Sequence, residues 1–238
     1  MYHMITPHKP GTKFNGLRVT PERFEQQVKW LHDEGWHFLT MSELMTPEAT
    51  LPEKTVAITF DDGYEDNCLN AWPILKKYQA KATLYLVVDR HNNDWSTNKK
   101  AHHNSGELVR EPKLSDAQVT EMVQSGVFEL GGHTVSHINL ATADVAKKEA
   151  EISGCKTSLE QQYHTTVTSF AYPFGIHTPE DEQLVESAGF THAVLAEGGI
   201  ETCRYSRPFL LRRVKISGKD SFLAFLCRIR TGQRGWKK

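Results

Sequence analysis

Apolar residues recur along the chain in two rhythms. Short apolar runs alternate with longer stretches in which apolar positions return every three or four residues. The first rhythm predicts buried strands and the second amphipathic helices, and their alternation is the pattern of an α/β protein. Thr20-Pro21-Glu22 supplies a hydroxyl N-cap and then proline at the first helical position. Phe24, Val28 and Leu31 follow at helical spacing, and Gly35 ends the helix. Trp36 to Thr40 predicts a short strand, and Lys54 to Phe60 a stronger one that ends in Asp61-Asp62-Gly63. A helix over Ala71 to Tyr78 and a strand over Ala82 to Val88 come next. Asp89 to Lys113 is polar and rich in His, Asn and Lys, so it is expected to be a solvated loop.

Ser115, with Gln118 three residues on, forms a capping box for a helix closed by Gly126. Val127 to Leu130 predicts a strand that runs into Gly131-Gly132-His133. A long helix follows over about Asp144 to Gln162, then a strand over Thr168 to Tyr172. A helix from Thr178-Pro179-Glu180, a strand over Phe190 to Leu195 and a terminal helix over Ser221 to Ile229 complete the series. At least five strand–helix units without a linker predict one domain spanning residues 1–238. Asp61 and Asp62, His133, and Tyr172-Pro173-Phe174 all fall at the C-terminal ends of strands. Barrels and open α/β sheets place their sites there, and an incomplete TIM-like barrel fits better than a doubly wound sheet. No glycine-rich phosphate loop follows any strand, which argues against nucleotide binding.

Composition narrows the class. Of 238 residues, 39% are hydrophobic and 24% charged, as in ordinary globular proteins. Twenty-eight basic against 29 acidic residues leave a formal charge of −1, so no basic excess points to nucleic acid or an anionic membrane. No apolar run is long enough to span a bilayer, and the first residues lack a signal peptide's charged start and apolar stretch. With Cys68, Cys155, Cys203 and Cys227 scattered and forming no CxxC, the expectation is reduced thiols and a cytoplasmic location, at most at the inner membrane face. Histidine, at 12, is the one unusual count.

Asp61-Asp62 closes a buried strand with two adjacent carboxylates, which repel each other and are costly to bury unpaired. By itself Asp-Gly is equally a turn signature. His133-Thr134-Val135-Ser136-His137 places two histidines four apart, a spacing that on one helical turn turns both to the same side. Joined to a strand-end carboxylate they make a two-histidine, one-carboxylate set with open coordination positions. Such a set suits a hydrolase that activates water, or a non-haem iron oxygenase. The second aspartate favours the hydrolase, because hydrolysis needs a general base beside the metal.

Thr59-Phe60-Asp61-Asp62-Gly63, His133-Thr134-Val135-Ser136-His137 and Ala171-Tyr172-Pro173-Phe174-Gly175 resemble the first three motifs of the polysaccharide deacetylases, carbohydrate esterase family four. The resemblance implies a distorted (β/α) barrel of about seven units. It also implies Asp61 as catalytic base, and Asp62, His133 and His137 as ligands of a divalent metal, usually Zn2+, with Co2+, Ni2+ or Mn2+ as alternatives. The third motif carries Ala171 where the commonest form has arginine. Its Tyr-Pro-aromatic-Gly form resembles the branch that deacetylates exopolysaccharide N-acetylglucosamine. That branch implies Phe174, with Tyr172, on the oxyanion and substrate, and Arg213 as the group that orients Asp61. No histidine follows His192, so the late histidine that usually supplies the general acid is absent. In this branch the motif order is permuted, and Met1-Tyr2-His3 fits the arrangement, with His3 as the acid.

The function expected on this reading is hydrolysis of the acetamido group of an N-acetylated amino sugar, releasing acetate. Given the expected location, the carbohydrate would be a precursor bearing N-acetylhexosamine in lipopolysaccharide or exopolysaccharide biosynthesis. The alternatives are an O-acetyl (xylan-type) esterase or deformylase using the same site and, more remotely, an iron oxygenase or a non-catalytic carbohydrate-binding protein. His91, His102, His103 and Trp95 are expected in the solvated loop. Trp72 is a lone aromatic, and Phe222, Phe225 and Leu226 form a core stripe.

Overall fold

The computed structural model describes residues 1–47, 50–91, 93–99 and 105–235. The first half holds β1 (Met4–Ile5), β2 (Arg18–Val19), α1 (Pro21–Asp33), β3 (His37–Phe38), α2 (Met41–Leu44), β4 (Thr55–Val56), β5 (Ile58–Asp62), α3 (Trp72–Lys77), β6 (Ala82–Leu86) and α4 (Ser96–Lys99). The second half holds α5 (Asp116–Gln124), β7 (Phe128–Gly132), α6 (Val145–Tyr163), β8 (Ser169–Ala171), α7 (Pro179–Ser187), β9 (His192–Gly198), β10 (Leu211–Arg213) and α8 (Phe222–Thr231). Strands β5 to β10 form one six-stranded sheet in sequence order, parallel throughout, with β1–β2 and β3–β4 as separate pairs.

The sheet curls into the expected incomplete barrel, and the first two residues bridge its edges. Tyr2 N donates to Thr59 O at 2.8 Å, and Asp61 N donates to Tyr2 O at 3.1 Å. On the other side Met1 N donates to Val214 O at 2.9 Å, and Ile216 N donates to Met1 O at 3.1 Å. These residues therefore occupy a strand position between β5 and the segment after β10, which carries His3 to the C-terminal mouth.

Outside the curl, the apolar stripes of the helices pack on the sheet. Phe24, Val28 and Leu31 of α1, Leu75 of α3, Val119 and Met122 of α5, and Ile152 and Leu159 of α6 are all buried there. Burial of each such side chain contributes about 1.5–3 kcal/mol. Phe225 of α8 is buried, its ring 6.0 Å from that of Trp30. Inside the curl, Tyr85, Ala171, Val194 and Leu211 meet Met41 of α2. That short helix was not foreseen, and it closes the N-terminal mouth of the barrel. Thr40 and Glu43 form its capping box, and its free Ser42 N–H points at the Glu129 carboxylate at 3.1 Å.

The excursion after β6 departs from the solvated loop expected. Trp95 is 1% exposed, and its segment folds back over the C-terminal mouth. Buried Arg18 pins the far end by donating to Glu107 at 3.0 Å and Glu111 at 2.7 Å. Lys113 donates to the carbonyls of Leu108 and Glu111, with its ammonium 4.6 Å from the Tyr64 ring centre and 4.9 Å from that of Trp95. A polar composition hid these internal partners. His91 is exposed, whereas His102 and His103 lie outside the described residues.

Candidate metal-binding and hydrolytic site

Asp61 and Asp62 are the last residues of β5 and project to opposite sides of the strand. Asp62 adopts φ +80° and Gly63 φ +85°, which turns the chain sharply at the mouth. A Cβ at Gly63 would lie 2.4 Å from a Leu86 methyl carbon, so this position also needs glycine for space.

His133 and His137 do not sit on a helical turn, contrary to the geometry their spacing suggested. The segment after β7 is a loop in which Thr134 (φ +64°) and His137 (φ +55°) are left-handed, and His137 N donates to Thr134 Oγ1 at 2.9 Å. The Ser136 N–H and hydroxyl both donate to buried Glu151 of α6, at 2.8 and 2.5 Å. These bonds bend the loop so that both imidazoles face Asp62. His133 Nε2 is 3.4 Å and His137 Nε2 is 3.3 Å from Asp62 Oδ1. One candidate ligand atom from each residue lies within 4.8 Å of the others, and all three residues are buried.

This cluster fits a metal ion on three independent grounds. Asp62 Oδ1 is buried and has no hydrogen-bond partner, a costly state for a carboxylate oxygen unless a cation meets it. His133 Nδ1 donates to Ala171 O at 2.7 Å, which leaves Nε2 as the bare nitrogen facing the cluster. Burial pushes the His137 imidazole down, against the pull of Asp62, toward the neutral form that binds metals. Trp95 packs at 5.1 Å and Phe174 edge-on at 4.6 Å from the His137 ring, which fixes its plane.

Asp61 faces Arg213 across the barrel. Two parallel bonds of 2.7 Å join the guanidinium to the two Asp61 oxygens, and the same guanidinium donates to Thr59 Oγ1 at 3.0 Å and Leu195 O at 2.5 Å. Burial raises the Asp61 carboxyl, but the charge and hydrogen bonds of Arg213 outweigh it and hold the group below its ordinary value, ionised. Arg213 is thus the counter-ion of Asp61. Thr59 was not foreseen, although its position two residues before Asp61 turns it to the same face.

A cavity of about 320 Å³ brings His3 together with Asp61, Asp62, His133, His137 and Phe174. Burial lowers the His3 imidazole more than Asp62 and Asp61 raise it. Phe174 is held at φ +60° in the turn after β8. Tyr172 stands apart. Its ring is fully buried between Phe170 and His177, at 5.4 and 5.0 Å, and its N–H donates to Val194 O at 3.3 Å. Trp72 lies outside the cavity, under the Lys76 ammonium at 5.2 Å. Ser96, Leu108, Glu197 and Lys215 also line the cavity, and no motif marked them.

The family model described as polysaccharide deacetylase matches residues 48–193, from before β4 to the start of β9. The chain belongs to this family. YxkH of Bacillus subtilis (strain 168), which bears the family's name, is 33% identical over 228 residues, covering 94% of this chain and 73% of its own. The poly-beta-1,6-N-acetyl-D-glucosamine N-deacetylase of Staphylococcus aureus (strain MRSA252) is 27% identical over 214 residues, 86% of this chain and 69% of its own. Among solved structures, the Streptococcus pyogenes deacetylase PplD in complex with acetate superposes with TM-score 0.78 at 27% identity, covering 96% of this chain and 95% of PplD. Within this family the α/β half-barrel is the expected fold. Among the described residues no helix is long and apolar enough to cross a membrane, and the four cysteines are unpaired.

Proposed function

We propose that this polysaccharide deacetylase family member is a zinc-dependent N-deacetylase of an N-acetylated amino sugar within a glycan, with residues 1–238 acting as one catalytic unit. The observation that carries the reading is the division of labour between adjacent aspartates. Asp62 shares a buried, cation-seeking cluster with His133 and His137, while Asp61 is kept out of it by Arg213. A hydrolase needs both a metal site and a separate base, and an oxygenase needs only the first. The names of the S. aureus and S. pyogenes relatives support deacetylation, and the former supports an N-acetylglucosamine polymer.

Asp62, His133 and His137 would hold the ion through one carboxylate oxygen and two Nε2 atoms. When bound, it supplies positive charge that polarises the acetyl carbonyl and acidifies water. Asp61 accepts the proton of the attacking water on a carboxylate oxygen, and the Arg213 fork keeps that oxygen ionised and aimed into the cavity. The Phe174 backbone, at the cavity wall, contacts the oxyanion. His3 protonates the departing nitrogen, because an amine leaves poorly unless protonated; its lowered imidazole shifts the proton-bearing form toward acid pH. The direct test is acetate release, under anaerobic conditions with zinc, from an N-acetylglucosamine oligomer and from acetylated xylan. Release mainly from the oligomer is expected. Release from xylan alone would make the protein an O-acetyl esterase, and release from neither would overturn the reading.

A further inference from the structure

A second cavity adjoins the catalytic one. Glu197 and Lys215 also line this more open recess of about 770 Å³, which lies over the C-terminal end of β9, β10 and the end of α8. Its charged lining is strongly one-sided: Arg212, Arg213, Lys215, Arg228 and Arg230 against Glu197 alone. The whole chain carries a formal charge of only −1, so this concentration is local.

Three of the five cations have a carboxylate partner. Arg213 holds Asp61, Arg228 donates to Asp220 at 2.7 Å, and Arg212 lies 3.6 Å from Glu201. Arg230 and Lys215 form no ion pair among the described residues. Lys215 stands at the junction of the two spaces, and Arg230 at the far side, on the last turn of α8. Gly198, at φ +124°, lines the recess beside Arg212, and a Cβ there would lie 2.8 Å from the Arg212 stem. Two neighbouring spaces that share Glu197 and Lys215, one at the reacting centre and one holding unpaired cations, match a substrate with an acetamido group at one place and a negative charge further along.

We infer that the recess is a subsite for an anionic group, phosphate or carboxylate, carried by the glycan beyond the sugar that loses its acetyl group. Lys215 and Arg230 are its specificity-determining residues. The inference deepens the deacetylase reading, and it takes from that reading only that the ligand is a glycan.

The experiment uses three probes with the zinc-loaded protein: a neutral N-acetylglucosamine tetramer, the tetramer with a terminal phosphate, and the tetramer with its end oxidised to a carboxylate. Binding is measured by calorimetry at low and high salt, and acetate release separately. At least one anionic tetramer should bind about three- to tenfold tighter than the neutral one, with the advantage shrinking in high salt. The better of the two identifies the group. Arg230→Gln should remove most of that advantage by raising KM while kcat stays within about twofold, and should leave the neutral tetramer unaffected. Arg230→Lys should restore it in part. Equal binding of all three tetramers, or an Arg230→Gln protein that keeps the anionic advantage, overturns the subsite. If the anionic advantage and its loss in Arg230→Gln are seen but no tetramer releases acetate, the subsite stands and the deacetylase reading falls.

Discussion

Replacing Arg213 with methionine should damage the fold and the chemistry for one reason. Arg213 and Asp61 are 6% and 3% exposed, and the guanidinium makes four hydrogen bonds, two of them to Asp61 at 2.7 Å. Methionine fills a similar volume but leaves Asp61 as a buried carboxylate without its counter-ion. Breaking a buried pair from one side costs about 3–5 kcal/mol, whereas replacing both partners costs much less. Arg213→Met should therefore lower unfolding stability by about 3–5 kcal/mol. The Asp61→Asn/Arg213→Met double variant should be more stable than the sum of the single losses by about 2 kcal/mol or more. Urea denaturation of the metal-free proteins measures this without a contribution from ligand binding. Activity of the single variant should fall with it, since Asp61 then loses both its orientation and its ionised state. A stability change below about 1 kcal/mol with additive single effects would refute the claim that Arg213 is what keeps Asp61 charged in the barrel.

Three further outcomes follow from other residues. A Cβ on Gly131 would lie 2.5 Å from the Tyr85 ring, whose hydroxyl is tied to Ser169 at 2.6 Å, so Gly131→Ala should lower stability by about 1–3 kcal/mol; an unchanged urea midpoint contradicts it. Burial pushes the His192 imidazole down to about 4. The unfolded chain then takes up the proton first, and stability present above the unfolded value of about 6.5 is lost as pH falls toward 4, by about 2 kcal/mol at pH 5. His192→Leu should flatten that loss in urea titrations at pH 7.5 and pH 5, and an unchanged difference from wild type across that range contradicts it. His3→Ala should bind zinc normally and lose turnover on the acetamide, with a smaller loss on a phenyl ester whose leaving group needs no proton; equal losses on both would assign His3 to shaping the cavity.

The sequence made some features legible and hid others for physical reasons. Each main-sheet strand from β5 to β9 was foreseen because buried parallel strands are short, predominantly apolar runs. β10 was missed because its middle residue, Arg212, is exposed and its last, Arg213, is an inward-facing charge whose partner lies 152 positions away. Thr59 is hidden for the same reason, its partner Arg213 lying 154 positions away. Asp62, His133 and His137 were legible because short motifs carry them. Their geometry was not, because two left-handed residues, Thr134 and His137, replace the helical turn that the spacing suggested. Trp95 shows the limit of composition: a polar segment reads as solvated unless its internal partners, here Lys113 and His137, are known. Tyr172 shows the limit of motifs, since residues of one short motif need not share a cavity: its ring packs between Phe170 and His177 while Phe174, in the turn that follows, lines the site.

The central claim is that Asp62, His133 and His137 bind the metal while Asp61 acts beside it as the base. Its most direct measurement pairs zinc content with acetate release from an N-acetylglucosamine oligomer in Asp61→Asn and His133→Ala. Asp61→Asn should keep full zinc and lose about 10²–10⁴-fold in turnover, and His133→Ala should lose both zinc and activity. Near-normal turnover in Asp61→Asn, or full zinc stoichiometry in His133→Ala, would contradict it.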